Sequence, residues 1–424
     1  MARIAQEVFT PGSFPTYTYV ERASERLEQS LRDALSTTGQ VISLSGPSKS
    51  GKTVLVERVV GRDCLITVTG ANVEEADDLW NRVLDWMDVP QSRGRTTTDS
   101  GSLGGELGVE GSATIPGLFS AEGTAKGTTE IGHSSEKTST YSRRGLTQVV
   151  EEIANSDFVV LLDDFHYMPR KIQGEVAKIL KEAVRLGVKV CTAAVRHRGD
   201  DVVRANPELR GRVRSIDLNY WTKSELAEIA KLGFKELKAD VDEPAIERFA
   251  LESAGSPQLM QLICLNACFV AVLREKGLMT QKMQFSVDMM QRILEQTSSN
   301  TDFRSLVDVL DAGPKTRGAE RKIYKFNDHS EGDVYRCILK AVAADPPRLS
   351  FNYEELTERV ASVCQEDVPV GSSVVGTCLH MTKLALDKFP SERAIEWDEQ
   401  KQILDIPDPY LLFYLRWSGR LQEN

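Results

Sequence analysis

The sequence predicts an α/β fold: a parallel sheet with crossover helices, then an all-helical unit, then a compact C-terminal unit of helices and a hairpin. Three observations predict it. From about residue 16 to 275 short apolar runs alternate with amphipathic helical stretches, the pattern of strands joined by crossover helices. From Trp221 to about Gly277 the strand-like runs stop and the helical pattern continues alone. After residue 330 the order becomes three helices and two short strands.

Composition bounds the rest. The chain has 424 residues, 41% hydrophobic and 27% charged, with 52 Lys+Arg against 62 Asp+Glu. That apolar fraction excludes a disordered chain, and the length fits two or three domains. The run Leu262 to Leu273 is too short to cross a membrane, which takes ~20 residues, and MARIAQEVFTPGS has no apolar core of a secretory signal. Seven cysteines without a CxxC read as buried thiols of a reducing, cytoplasmic compartment. A net charge of −10 gives no global attraction to nucleic acid.

In order along the chain, Val20 to Leu35 reads as a helix, with Leu27, Leu31 and Leu35 on one stripe. Strands are expected at Val41 to Ser45, Cys64 to Gly70, Asp157 to Asp164, Val188 to Val195 and Ser215 to Tyr220. Between Gln91 and Ser142 a Gly/Ser/Thr-rich segment interrupts the pattern, and Thr297 to Glu331 reads as a polar, charge-rich connector. Helices are expected at Asp333 to Ala344, Tyr353 to Cys364 and Ser372 to Leu386. Ala394 to Trp397 and Lys401 to Ile406 complete a hairpin. Three helices and a hairpin in that order predict a winged-helix domain. The expected domains are a sheet unit 1–220 carrying an insertion at 96–135, a helical lid 221–296, a linker 297–330 and a winged-helix-like unit 331–424.

The chemistry is carried by Gly46, Pro47, Ser48, Lys49, Ser50, Gly51, Lys52 and Thr53, which match GxxxxGK[ST] between a strand and a helix. In that context the glycines turn backbone N–H groups toward phosphate oxygens, and the helix N-terminus adds its positive dipole end. Lys52 then reaches the β- and γ-phosphates of ATP, and the Thr53 hydroxyl ligates Mg²⁺. Asp163 and Asp164 end the apolar run FVVLL. Asp163 is expected to hold Mg²⁺ and Asp164 to polarise the attacking water. Arg196, at the end of the next strand, is placed to approach the γ-phosphate. Arg210 and Arg212 precede the last strand and can act within the subunit or on a neighbour's nucleotide. His166 and His197 read as polar loop residues, and the five histidines form no metal-spaced pair.

From about Tyr19 to Phe269 the chain resembles the AAA+ and STAND P-loop ATPases, especially the archaeal-type ones. The residues that carry the resemblance are YVER (Tyr19 to Arg22), GPSKSGKT, FVVLLDD and Arg196. In AGSPQL, Gly255 to Pro257 resembles the lid element that packs near adenine, so Pro257 joins the expected nucleotide contacts. IPDPYLLFYLRW, Ile406 to Trp417, looks like the end of archaeal-type winged-helix units. Two departures stand out. The acidic pair is Asp-Asp where most AAA+ proteins have Asp-Glu, which implies slow hydrolysis. Gln258 stands where relatives often place a sensor arginine.

The insertion reads in period two about Ile115-Pro116-Gly117, with Leu107, Val109, Phe119 and Ile131 on one face and Glu106, Glu110, Glu122 and Glu130 on the other. It is either a flexible loop, a hairpin pairing with copies of itself, or a membrane-inserting hairpin. Three functions stay open. One is an ATP-dependent switch of STAND type controlling assembly, as a homo-oligomer working with a separately encoded effector in a defence or signalling system. Another is a DNA-handling ATPase of origin-recognition or transposition type, and the last is a structural or pore-forming role of the hairpin. The expected recognition helix offers only Lys383 and Lys388 as cations, with His380 between Ser372 and Lys383, which is thin for DNA. A membrane role is not expected.

Overall fold

The computed structural model describes residues 3–22, 24–89, 92–96, 138–195, 201–271, 282–315, 321–390 and 394–422. The first unit runs α1 (Ala5–Val8), α2 (Leu27–Ser36), β1 (Val41–Gly46), α3 (Lys52–Val60), β2 (Leu65–Thr69), α4 (Ala76–Trp86), β3 (Ser92–Thr96) and β4 (Thr138–Ser142). It continues through α5 (Leu146–Ile153), β5 (Val159–Asp163), α6 (Arg170–Arg185), β6 (Lys189–Val195), α7 (Asp201–Ala205) and β7 (Val213–Asp217). Five of these strands form one parallel sheet in the order β2-β5-β6-β1-β7. β1 is buried along its whole length and β5 up to Asp163. This explains why β5, VVLLD, reads as an unbroken apolar run rather than an alternating one, while β1, VISLSG, buries the small polar side chains of Ser43 and Ser45 among its apolar residues.

The sheet order decides where a ligand goes. After β1 the chain leaves for the far edge at β2, returns through β5 and β6, then passes β1 to reach β7. The carboxyl ends of β1, β6 and β5 therefore meet at a reversal of strand order, where parallel sheets open a crevice.

The insertion leaves and re-enters the fold at one place. β3 and β4 pair antiparallel, from Ser92↔Ser142 to Thr96↔Thr138. Residues 97–137, and with them every reading of the hairpin from Ser102 to Ile131, lie outside the described residues.

The helical unit comprises α8 (Lys223–Glu236), the two-residue strand β8 (Asp240–Val241), α9 (Glu243–Glu252), α10 (Pro257–Val270), β9 (Lys282–Met283) and α11 (Val287–Ser299). Its core gathers Phe234, Phe249, Met260, Ile263 and Leu294. The C-terminal unit then adds α12 (Arg304–Ala312), β10 (Tyr324–Lys325), β11 (Glu331–Gly332), α13 (Val334–Ala343), β12 (Ser350–Asn352) and α14 (Tyr353–Val363). It closes with α15 (Gly371–Lys388), β13 (Glu396–Asp398), β14 (Ile403–Asp405) and α16 (Pro409–Trp417). β12, β14 and β13 form a three-stranded antiparallel sheet beside α13, α14 and α15, the winged-helix arrangement.

Three expectations are corrected. The first long helix starts at Leu27 rather than Val20, because the buried Arg22 holds its segment against Glu25, Glu225 and the carbonyl of Asn219. Residues 297–330 are not a bare connector: α12 buries Leu306, Val307 and Leu310 in the C-terminal core, together with Tyr324 and Phe326. The polar outer face of an amphipathic helix had masked its apolar stripe. β7 ends at Asp217, short of the expected Tyr220. Beyond it the chain peels away, and the carbonyls of Asn219 and Tyr220 accept from Arg22. All seven thiols are free, and no described helix is long and apolar enough to cross a membrane.

Candidate nucleotide site

The loop between β1 and α3 is shaped by two left-handed residues, Gly51 at φ 93° and Lys49 at φ 59°. The glycine takes that conformation freely, whereas a side-chain-bearing residue rarely does. Gly46 has no room for a Cβ, which would fall 2.8 Å from Leu218 Cβ. The Lys52 ammonium lies folded over the loop, donating to the carbonyls of Pro47 at 2.8 Å and Gly46 at 3.2 Å. Burial pushes its pKa below the ordinary lysine value, opposed by the nearby Asp163 and Asp164.

The acidic strand end reaches the same spot. Thr53 Oγ1 donates to Asp163 Oδ2 at 2.6 Å, across 110 residues of sequence. The other Asp163 oxygen accepts from the Asp164 N–H at 3.0 Å. Asp164 itself is left-handed, at φ 55°, a strained state of the kind that clusters at working sites. Its carboxyl is held above the ordinary aspartate value, first by burial and then by the Asp163 charge, with Lys52 pulling the other way. Gly70, just past β2, makes the turn possible. A Cβ there would lie 2.5 Å from the Asp164 carbonyl oxygen. Gly70→Ala therefore has to displace the acidic turn. Overpacking of this kind costs about 1–3 kcal/mol of stability, and hydrolysis is expected to fall by at least about tenfold because the carboxylate moves. Denaturant midpoint and turnover, measured on the same preparation, check both.

These residues open onto a cleft of about 780 Å³. Its far wall is the N-terminal segment Thr10 to Val20, which the lid helix α10 holds in place. Gln261 accepts from the Thr10 N–H at 3.2 Å and donates to Thr18 Oγ1 at 2.5 Å. Phe14 and Tyr19 stack nearly parallel, 6.0 Å apart at 11°. The Tyr19 hydroxyl donates to the buried Glu28 at 2.5 Å, and burial with that carboxylate raises the phenol pKa. Pro257 lines the cleft as the first residue of α10. Trp221, at the lid entrance, donates its indole N–H to the Ser50 carbonyl at 2.9 Å.

The structure thus brings together Gly46 to Thr53, Asp163, Asp164 and Pro257. Arg196 and His197 lie outside the described residues. Arg210 and Arg212 are exposed and stand at the amino-terminal end of the strands, opposite the loop: the Arg212 carbonyl accepts from Val41, the first residue of β1. At ~3.3 Å per strand residue that is about 17 Å from the loop, so neither arginine serves the nucleotide site of its own subunit. Motif reading did not find Phe14, Gln261, Trp221 or Asp408 as site residues. Only the YVER run pointed toward the N-terminal wall.

Hydroxyl and carboxylate oxygens are the donors a hard cation such as Mg²⁺ takes, and Thr53 with Asp163 fits it. Among the described residues no group of three or more His, Cys, Asp or Glu is gathered that could hold a metal by itself.

No family model and no curated sequence matches the chain. It is similar in structure to Cdc6p from Pyrobaculum aerophilum, with 13% identity, TM-score 0.44 and 97% of each chain covered. A Walker-type ATPase of Pyrococcus abyssi aligns at 15% identity and TM-score 0.49, over 94% of this chain and 96% of that one. The ORC2 protein of Aeropyrum pernix, in ADPNP–ADP complexes, aligns at 14% and 0.49 over 98% of both. At such scores the activity of this chain has to come from its own site.

Proposed function

We propose that this chain binds ATP with Mg²⁺, hydrolyses it slowly, and uses the cycle as a switch for assembly. The observation that carries the proposal is the contact of Thr53 with Asp163 at 2.6 Å, with Lys52 and Asp164 alongside. A hydroxyl, a carboxylate pair and an ammonium held together at the end of a parallel sheet suit a Mg²⁺-bound triphosphate and little else. Lys52 and the N–H groups opening α3 bind and orient the phosphates. Thr53 and Asp163 hold the metal, which when bound neutralises developing phosphate charge. Asp164 orients the attacking water and takes its proton on a carboxylate oxygen. A shorter Asp at that position, rather than Glu, leaves the water less well gripped and the reaction slow.

Assembly enters through Arg212. Exposed and far from its own site, it is free to serve the nucleotide of a neighbouring copy. Arginines supplied in trans are worth ~10³–10⁵ in rate. Turnover per subunit is therefore expected to rise with protein concentration, and Arg212→Ala to flatten that rise. A rate independent of concentration would remove the arginine from the mechanism. The switch is read as acting with a separately encoded effector.

The winged-helix arrangement favours one alternative, a DNA-handling ATPase. Against it, α15 presents Lys383 and Lys388 with Asp387 between them, and its His380 ring faces the Tyr335 hydroxyl at 3.1 Å. DNA-docking helices bring more cations than that.

A further inference from the structure

Lys49 is an unusual member of its loop, a left-handed lysine with a cation no phosphate-loop motif requires. Its ammonium is paired, across 359 residues, with Asp408, at 2.9 and 3.2 Å to the two carboxylate oxygens. It also sits 4.1 Å from the centre of the Tyr410 ring. Asp408 caps the N-terminus of α16, accepting from the Tyr410 N–H at 2.9 Å. Both Lys49 and Asp408 line the cleft. A carboxylate from the C-terminal unit therefore stands in a site built to receive several phosphate charges.

What α16 touches gives that contact its reach. Along its nine residues, Tyr410 and Phe413 belong to the helical-unit core, while Leu411, Leu412 and Leu415 belong to the C-terminal core. At its far end Arg416, almost wholly buried, bonds Glu252 of α9 at 2.9 and 3.0 Å and Asp345 of the C-terminal unit at 2.6 Å. Trp417 donates to the same Glu252 at 2.8 Å. A helix of this length is a rigid rod of ~13 Å. It joins the phosphate loop at one end to lid and wing at the other.

We propose that Lys49 and Asp408 distinguish nucleoside triphosphate from diphosphate and report the difference to α16. The inference rests on the ATP-binding reading above. A terminal phosphate attracts the Lys49 ammonium and repels the Asp408 carboxylate, so the pair opens and the N-terminus of α16 leaves the loop. A diphosphate brings less charge and leaves the pair closed. The pair is about a quarter to a third exposed, so its coupling is modest, on the order of three- to tenfold in affinity.

Asp408→Asn separates charge from fold, because Asn caps a helix as well as Asp does. The test uses the full chain, with equilibrium binding of Mg·ATPγS and Mg·ADP and hydrogen exchange of the amides of residues 410–417. In the wild type, ATPγS should deprotect those amides and ADP should not. Asp408→Asn should show them deprotected without nucleotide, bind ATPγS about fivefold tighter and ADP within about twofold of wild type. Lys49→Gln should lose the difference between the two nucleotides. If ATPγS and ADP leave the same exchange pattern, or Asp408→Asn leaves their affinity ratio unchanged, the latch is wrong while ATP binding stands. If the wild type binds neither nucleotide, the ATPase reading fails and takes the latch with it.

Discussion

Lys52→Ala is expected to lose nucleotide binding. The Lys52 ammonium is buried at the head of α3, its position set by the carbonyls of Gly46 and Pro47. Truncating one partner of a desolvated charge pair costs about 2–5 kcal/mol, or roughly thirty- to several-thousand-fold in affinity. The backbone N–H groups remain, so the loop keeps its shape, and circular dichroism should match the wild type. Isothermal titration with ATPγS reads the loss directly. Equal affinity in the two proteins would detach the loop from nucleotide altogether.

Asp164→Asn is expected to keep binding and stop hydrolysis. The amide cannot take the water's proton, and a positioned base contributes about 10²–10⁴ in rate. Asn tolerates left-handed backbone as Asp does, so the substitution removes the charge without rebuilding the turn at φ 55°. The perturbed carboxyl adds two consequences. Because its pKa is raised in the folded chain, the acid limb of kcat/KM, which reports the nucleotide-free protein, should lie above the ordinary aspartate value of 3.8. The folded state also holds that proton more tightly than the unfolded one. Its favourable contribution is full below the unfolded pKa and is lost as pH rises through the folded pKa. At neutral pH the ionised Asp164 therefore costs stability, and Asp164→Asn should melt higher than wild type there, with the advantage vanishing in acid. An unchanged rate would send the search for the base elsewhere.

Much of this site was legible because its parts are local. GPSKSGKT names the loop, and the buried run Val159–Asp163 delivers its carboxylate wherever the sheet places it. The central strands β5 and β6 were legible for a related reason, since burial on both faces leaves nearly continuous apolar sequence. Their ends were not. Val20 to Arg26 carries a helical pattern, yet Arg22 is worth more as a buried anchor between Glu25 and Glu225 than as one residue of an exposed helix turn. α12 hid because it is short and its outer face carries Arg304, Asp308 and Asp311. The contacts that close the site joined residues with no shared motif: Trp221 to Ser50, Gln261 to Thr10 and Thr18, Lys49 to Asp408. Spacing carries no trace of such pairs, because tertiary packing alone brings them together. Arg212 shows the reverse case, a residue singled out near a strand and then placed at the wrong end of it for its own subunit.

The most direct measurement is a titration of the full chain with ATPγS, with Mg²⁺ and with the ion chelated. One saturable site per chain, tightened by Mg²⁺ and absent from Lys52→Ala, is the expected result. A chain that takes up no triphosphate, or takes it up equally well without Mg²⁺ and without Lys52, contradicts the assignment of Thr53, Asp163 and the loop to a magnesium-nucleotide site.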